Sequence, residues 1–319
     1  MNIIQAWKYG PGPDSLKDYL ILIAKGVCMG IADIIPGVSG GTMAFITGIY
    51  DNLIDSIRSF NGTFFKKLFT LDITGAIAEA HLKFLLPLLF GILAAMVSVA
   101  NVIHHLLGTH PVQVWSLFFG LIAASILVVG RRAGRFSVKK LVAGIAGAVF
   151  SFILVGLIPV TTPDALWFVF LCACISICAM ILPGISGAFI LLLLGKYEYI
   201  TGALRNPTVA ENAAVLIAFV CGCAVGISMF SRVLHYFLEK HHAITVSVLT
   251  GFMAGAMRKI WPWKEVLDSV VIRGKTHVLS EVNVLPPAFD GEFASAVLLM
   301  LAGFAAVIIL EWVSSAGEG

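Results

Sequence analysis

Two copies of one pattern, Pro36-Gly37-Val38-Ser39-Gly40 and Pro183-Gly184-Ile185-Ser186-Gly187, each interrupt a long apolar segment. Proline removes a backbone donor and disrupts the turn before it. Glycine admits positive φ and lets a second backbone come close. In hydrocarbon, freed peptide groups find no partner, so such a break is tolerated only where it lines a cavity or is buried in protein. A chain that carries two of them must build an interior around both.

Composition makes hydrocarbon the relevant solvent. Of the 319 residues, 59% are hydrophobic and 12% charged, with a mean hydropathy of +0.97. Soluble domains carry about 25% charged residues. The net charge of +3 gives no reason to expect a nucleic-acid partner. Residues Met1–Leu16 contain charges, glycine and proline but no apolar core, so a cleavable signal peptide is not expected there. Cys28, Cys172, Cys174, Cys178, Cys221 and Cys223 all lie in apolar runs without zinc-ligand spacing. They read as small hydrophobes, and neither a metal nor a cofactor is expected.

A spanning helix needs about 20 apolar residues. Candidates are Phe84–Ile103, Val112–Val129, Leu141–Ile158, Ala213–Leu234, Ile244–Met257 and Ala294–Trp312. Tyr19–Tyr50 and Ala165–Leu194 are the two broken segments. Asp51–Lys83 and Arg258–Glu292 read as loops with short surface helices. Trp261-Pro262-Trp263 reads as an anchor at the headgroup level.

The two breaks belong to an internal repeat. Pro36 matches Pro183 at an offset of 147, as do Gly48 and Gly195, Tyr50 and Tyr197, and Arg58 and Arg205. Later matches, Gly91 with Gly222, His104 with His235 and Gly120 with Gly251, stand at an offset of 131. Repeats over residues 1–160 and 161–319 follow, each with one broken segment and three spanning helices. The fold class is an all-α polytopic membrane protein.

Loop Arg131–Lys140 holds five basic residues and no acid, which places it in the cytoplasm. Each arm of the first break climbs about 15 Å at 1.5 Å per residue, half of a bilayer core. A re-entrant hairpin is therefore expected, and a hairpin plus three crossings inverts the second repeat. The five basic residues of Arg258–Lys275 then fall outside, against the charge rule.

Paired broken segments at corresponding places in two halves point to a transporter binding site. The backbone of Pro36, Gly37, Gly40 and Gly41, with that of Pro183, Gly184 and Gly187, suits an anion, phosphate above all. Ser39, Thr42 and Ser186 add hydroxyl groups. Asp33 is an acid inside an apolar segment, and such a residue is by default a functional candidate. It could relay a proton or accept hydrogen bonds from the loop. Arg232, also in an apolar segment, could meet an anion or reach an interface. No nucleophile is paired with a base, so no catalytic residue is assigned. A channel or transporter for a small soluble anion and a membrane-embedded lipid-phosphate enzyme are the other readings of such a site.

The stretch Gly30-x-Ala32-Asp33-x-x-Pro36-Gly37-Val38-Ser39-Gly40-Gly41-Thr42, with Gly48-x-Tyr50, resembles the polyprenyl-phosphate translocase family, long filed as domain-of-unknown-function family 368. Leu182–Gly187 with Gly195-x-Tyr197 resembles its second copy, and Arg258–Trp263 is similar to a later motif. Ala188 departs from the glycine of the first copy. The resemblance implies a carrier that returns undecaprenyl phosphate from the outer to the inner leaflet, with bilayer lipids as its surroundings. Gly120-x-x-x-Ala124 and Gly251-x-x-x-Gly255 permit close helix packing, within a subunit or in a homodimer.

Overall fold

The computed structural model describes residues 12–34, 39–160, 162–272 and 275–316. The first break is flanked by α1 (Leu16–Ile34) and α2 (Gly40–Ile46). Three short helices follow, α3 (Tyr50–Arg58), α4 (Gly62–Phe69) and α5 (Ile73–Glu79), then α6 (Leu82–Ser98), α7 (Ala100–Thr109), α8 (Pro111–Arg132) and α9 (Val138–Leu154). The second break lies between α10 (Leu166–Ile181) and α11 (Gly187–Leu193). The chain ends with α12 (Tyr197–Arg205), α13 (Ala210–Ala256), strands β1 (Lys264–Ile272) and β2 (Lys275–Asn283), and α14 (Gly291–Ala316). The fold is that of an all-α polytopic membrane protein. Pro111–Arg132, Ala210–Ala256 and Gly291–Ile309 are long and apolar enough to span a bilayer unaided.

Helix α13 has 47 residues, about 70 Å if straight and more than twice a bilayer core. It folds back at His241, whose φ of −133° and ψ of 38° are not helical. Residues eight apart in a straight helix are separated by about 12 Å along the axis. Here Thr245 Oγ1 donates to the Phe237 carbonyl at 2.9 Å and to that of His241 at 3.0 Å. The limbs 210–240 and 242–256 correspond to the two spans read at Ala213–Leu234 and Ile244–Met257.

Helices in lipid gain little from apolar contact alone, so close approach through small residues does much of the holding. A Cβ on Gly91 would lie 2.2 Å from the Ile23 carbonyl oxygen, and one on Gly222 would lie 2.3 Å from that of Phe170. These are the same contact in the two halves, between α1 and α6 and between α10 and the first limb of α13. The remaining pairs are exchanged between halves. Gly120 of α8 abuts Met300 of α14, whereas Gly251 of α13 abuts Gly144 of α9. Gly303 meets the Leu117 carbonyl as Gly147 meets that of Val248. Gly120 and Gly251, the glycines expected to allow close packing, are thus spent on contacts within the subunit.

These pairs also set direction. Gln113 lies by Ser295 and Arg132 by Glu311, so α8 and α14 run parallel. Gly251 and Gly255 lie by Gly144 and Ala148, and Arg258 by Phe152, so α9 and the second limb of α13 run parallel. Thr250 lies by Gly130 and Trp261 by Phe119, so the second limb of α13, and α9 with it, runs opposite to α8. Gly48, at the mouth of the first hairpin, sits beside Arg132, at the end where α9 begins. Gly195, at the mouth of the second, sits by Val160, beyond the end of α9. The two hairpins therefore open at opposite ends of the molecule. Both mouths turn on a glycine with positive φ, +71° at Gly48 and +64° at Gly195.

The 258–290 connection differs from its sequence reading. Instead of surface helices it forms an antiparallel hairpin, with Lys264 opposite Asn283 and Ile272 opposite Lys275. Val266, Val270, Val271 and Ile272 supply the β-branched residues that favour a strand. Trp263 is buried, stacks on Phe293 and pins the hairpin base to α14, so it is not a headgroup anchor.

Candidate functional site

The loop tips meet through a closed set of hydrogen bonds at the C-terminal end of α10. Pro183 has no N–H to offer the last turn. The Gly184 N–H leaves its helical acceptor and is taken by Thr42 Oγ1 at 2.9 Å. The Met180 and Ile181 carbonyls thus lose the donors an uninterrupted helix would give them. The first half replaces them. Ser39 Oγ donates to the Met180 carbonyl at 3.1 Å and lies 3.3 Å from that of Leu182. Tyr50 Oη donates to the Ile181 carbonyl at 3.2 Å.

Ser39 also caps α2, accepting the Gly41 N–H at 3.1 Å. Asp33 Oδ1 accepts the Gly40 N–H at 2.7 Å, so the carboxylate serves the loop backbone. Space at the junction is minimal. A Cβ on Gly41 would lie 2.5 Å from the Ile181 carbonyl oxygen. Gly184 has φ +86° and packs on the backbone of Met253, in the second limb of α13.

The halves are not equivalent here. Ser186 caps its own helix through the Phe189 N–H at 3.4 Å. Ser176 donates to the Gly187 carbonyl at 2.7 Å. Tyr50 is buried at the junction, whereas its counterpart Tyr197 is exposed.

Of the residues singled out from sequence, Asp33, Ser39, Gly40, Gly41, Thr42, Pro183, Gly184, Ser186 and Gly187 gather at this junction. Pro36 and Gly37 lie outside the described residues. Ser39 and Thr42 are 1% and 0% exposed. Their hydroxyls engage the opposite loop, so the open anion cradle expected from sequence is closed in this conformation. Tyr50 was read only as a marker of the repeat and of the family motif, not as a site residue. The signal for its role was its position two residues beyond the hairpin glycine.

Arg232 stands apart from the loops. It lines a cavity of about 660 Å³ with Arg58, His81, His235, Asp55 and Glu239, near the mouth of the first hairpin. Arg58 donates to His235 Nε2, and His235 Nδ1 faces Asp55 at 2.8 Å. Burial pushes His81 below the usual histidine range despite nearby Asp55 and Glu79.

A second cavity, of about 360 Å³, lies near the mouth of the other hairpin, between the end of α9, α11 and Arg258-Lys259. Glu281 bonds Lys259 at 2.8 Å and Lys264 at 3.0 Å. Burial alone would raise the Glu281 pKa, but the two ammonium groups hold it below the usual carboxylate range. Burial keeps Lys264 below the usual lysine range. Lys259 and Lys264, two of the five basic residues that opposed an outer position for this connection, thus share a local acid.

Residues 29–277 match a family described as undecaprenyl phosphate translocase-like. The chain is similar to a polyprenyl-phosphate transporter of Vibrio cholerae, with 40% identity over 301 residues, covering 92% of this chain and 96% of that protein. It is also similar to a polyprenyl-phosphate transporter of Staphylococcus aureus, with 30% identity over 256 residues, covering 76% and 86% respectively. No solved structure matches.

Proposed function

The chain belongs to the undecaprenyl phosphate translocase-like family, and from that premise we propose that it carries undecaprenyl phosphate from the outer to the inner leaflet of the bacterial cytoplasmic membrane. The spent lipid carrier would thereby return for another round of cell-envelope synthesis. The family and the relatives are named as transporters rather than enzymes, and the fold is that of a multi-pass membrane protein.

The observation that carries this reading is the junction itself. Ser39, Thr42, Tyr50 and the Gly184 N–H meet between two hairpins that open at opposite ends. Parting the loops toward one end frees hydroxyl and N–H donors for phosphate oxygens. Closing them on each other, as here, seals the path. The prenyl tail stays in the bilayer, and only the phosphate needs shielding.

Orientation follows from the basic loop Arg131–Lys140. With that loop in the cytoplasm, the Gly48 mouth faces in and the Gly195 mouth faces out. The two repeats are then inverted.

Inward movement of a phosphate runs against an inside-negative potential. Each negative charge costs about 2.3 kcal/mol per 100 mV, and a phosphate monoester carries about 1.5–2 charges at neutral pH. Protonation offsets this cost, and the carboxyl of Asp33, which accepts the Gly40 N–H beside the junction, is our candidate for coupling to it. As a carboxylate it holds the Gly40 N–H and repels an anion at the junction. Protonated, it loses its charge and weakens its hold on that donor.

Proteoliposomes test this reading. Wild-type protein should move polyprenyl phosphate to the opposite leaflet, faster with an imposed proton gradient. Movement indifferent to both pH gradient and potential would remove the coupling. No movement above empty vesicles would remove the transport reading.

A further inference from the structure

We propose that the cavity at the Gly195 end is the capture site for the lipid's phosphate monoester, occupied before the loops part. The inference rests on the transport reading above. It adds a binding site remote from the loop junction.

The cavity joins the two surfaces such a lipid needs. Phe152, Leu157 and Ile158 form one wall, and each is about half exposed, an apolar surface suited to a prenyl chain. Arg258 and Lys259 stand on the other side. Arg258 donates to the Phe152 carbonyl at 3.1 Å, and its guanidinium lies 4.5 Å over the Phe152 ring. Among the described residues no carboxylate pairs with it. Four of its five N–H groups are not used by that carbonyl contact. Asn283 Nδ2 donates to the Arg258 carbonyl at 2.8 Å and fixes the backbone from the hairpin side.

The charges are unbalanced in the sense an anion requires. Lys259 and Lys264 bond the carboxylate of Glu281, and Arg258 stands beside them on the cavity wall. Arg258 and Lys259 line the cavity against Glu281, a surplus of one positive charge, and Lys264, which bonds Glu281 from outside the lining, raises the local surplus to two, which matches a phosphate monoester. Glu281 then acts as a resident counter-ion that an arriving phosphate displaces from Lys259. Phe189 and Leu192 of α11 form the inner wall, and Lys259 Nζ lies 5.4 Å over the Phe189 ring. A headgroup held here is therefore separated from the loop junction by the short helix of the second hairpin.

The test uses the full chain in nanodiscs of zwitterionic lipid, with farnesyl phosphate as the probe and farnesol and inorganic phosphate as competitors. Arg258→Gln and Lys259→Gln should each weaken farnesyl phosphate binding by about tenfold, the loss expected for one charge-assisted contact. Glu281→Gln should tighten it, because the competing carboxylate is gone. Farnesol and inorganic phosphate should compete poorly. Wild-type affinity in Arg258→Gln, weaker binding in Glu281→Gln, or full competition by inorganic phosphate would overturn the proposal while leaving transport through the loops standing. A wild-type chain that binds no farnesyl phosphate overturns both. If Arg258→Gln does not fold, the sign of the Glu281→Gln effect decides. A purely structural role for the Glu281 cluster predicts weakening.

Discussion

Thr42 and Gly184 are 142 positions apart in the chain, yet the Thr42 hydroxyl oxygen accepts the Gly184 N–H at 2.9 Å. The bond ties one broken segment to the other and diverts the N–H that would have continued α10. Thr42→Val keeps the shape and removes the acceptor, leaving a buried N–H without its partner. The cost of such an orphan is about 1–3 kcal/mol. The denaturation midpoint in detergent should fall accordingly, and an unchanged midpoint would show that the bond does not hold the loops together.

Gly41→Ala tests closeness rather than hydrogen bonding. Its Cβ would lie 2.5 Å from the Ile181 carbonyl oxygen, which is backbone and cannot swing away. The loops must part by several tenths of an ångström. Transport should fall by at least about tenfold, since about 1.4 kcal/mol of mispositioning already has that effect. Retention of wild-type transport would mean that the seal is not needed.

Gly91 and Gly222 make the same contact in the two halves. Replacing either by alanine should destabilise the protein by about 1–3 kcal/mol, the usual cost of overpacking. Gly108 in α7 has open space around it, so Gly108→Ala should stabilise by about 0.5–1 kcal/mol. Thermal unfolding in detergent of the three variants reads both signs.

The all-α polytopic fold and the two breaks were legible because apolar runs, glycine and proline constrain backbone and topology directly. The exchange of helices between halves was not. Gly120 and Gly251 mark a close contact but carry no record of the partner, which proved to be Met300 in one case and Gly144 in the other. Arg232 was read from its apolar surroundings alone as meeting an anion or reaching an interface, and only the fold shows it among Arg58, His235 and Glu239. The closed state of the loops was likewise invisible. Sequence shows that Ser39 can donate, not that Met180 has a carbonyl waiting for it.

Glu281 gives a pH dependence with a definite sign. Its pKa in the folded protein lies below the ordinary glutamate value, because Lys264 and Lys259 outweigh its burial. The stabilisation is complete above the unfolded pKa and is lost as pH falls through the folded one. Amide exchange in the 264–283 hairpin should therefore quicken, relative to the intrinsic rate, as pH falls below the ordinary glutamate range. Glu281→Gln should remove that dependence. A hairpin equally protected in both proteins across this range would contradict the role given to the cluster.

Cysteine labelling checks the orientation. In a background without the native cysteines, Glu265→Cys should react with an impermeant reagent from the outside only, and Arg135→Cys from the cytoplasm only. Labelling of both from one side would show that the hairpin mouths do not face opposite leaflets.

The most direct test of the account is transport by the Ser39→Ala/Ser186→Ala double variant. Wild-type and variant proteins are reconstituted at equal density, and the appearance of polyprenyl phosphate in the opposite leaflet is followed with an impermeant phosphatase. With the fold intact by thermal unfolding, the variant should be slower by at least about tenfold, the effect of roughly one lost charge-assisted hydrogen bond. A rate equal to wild type would contradict the account and leave the two Pro-Gly breaks as packing devices alone.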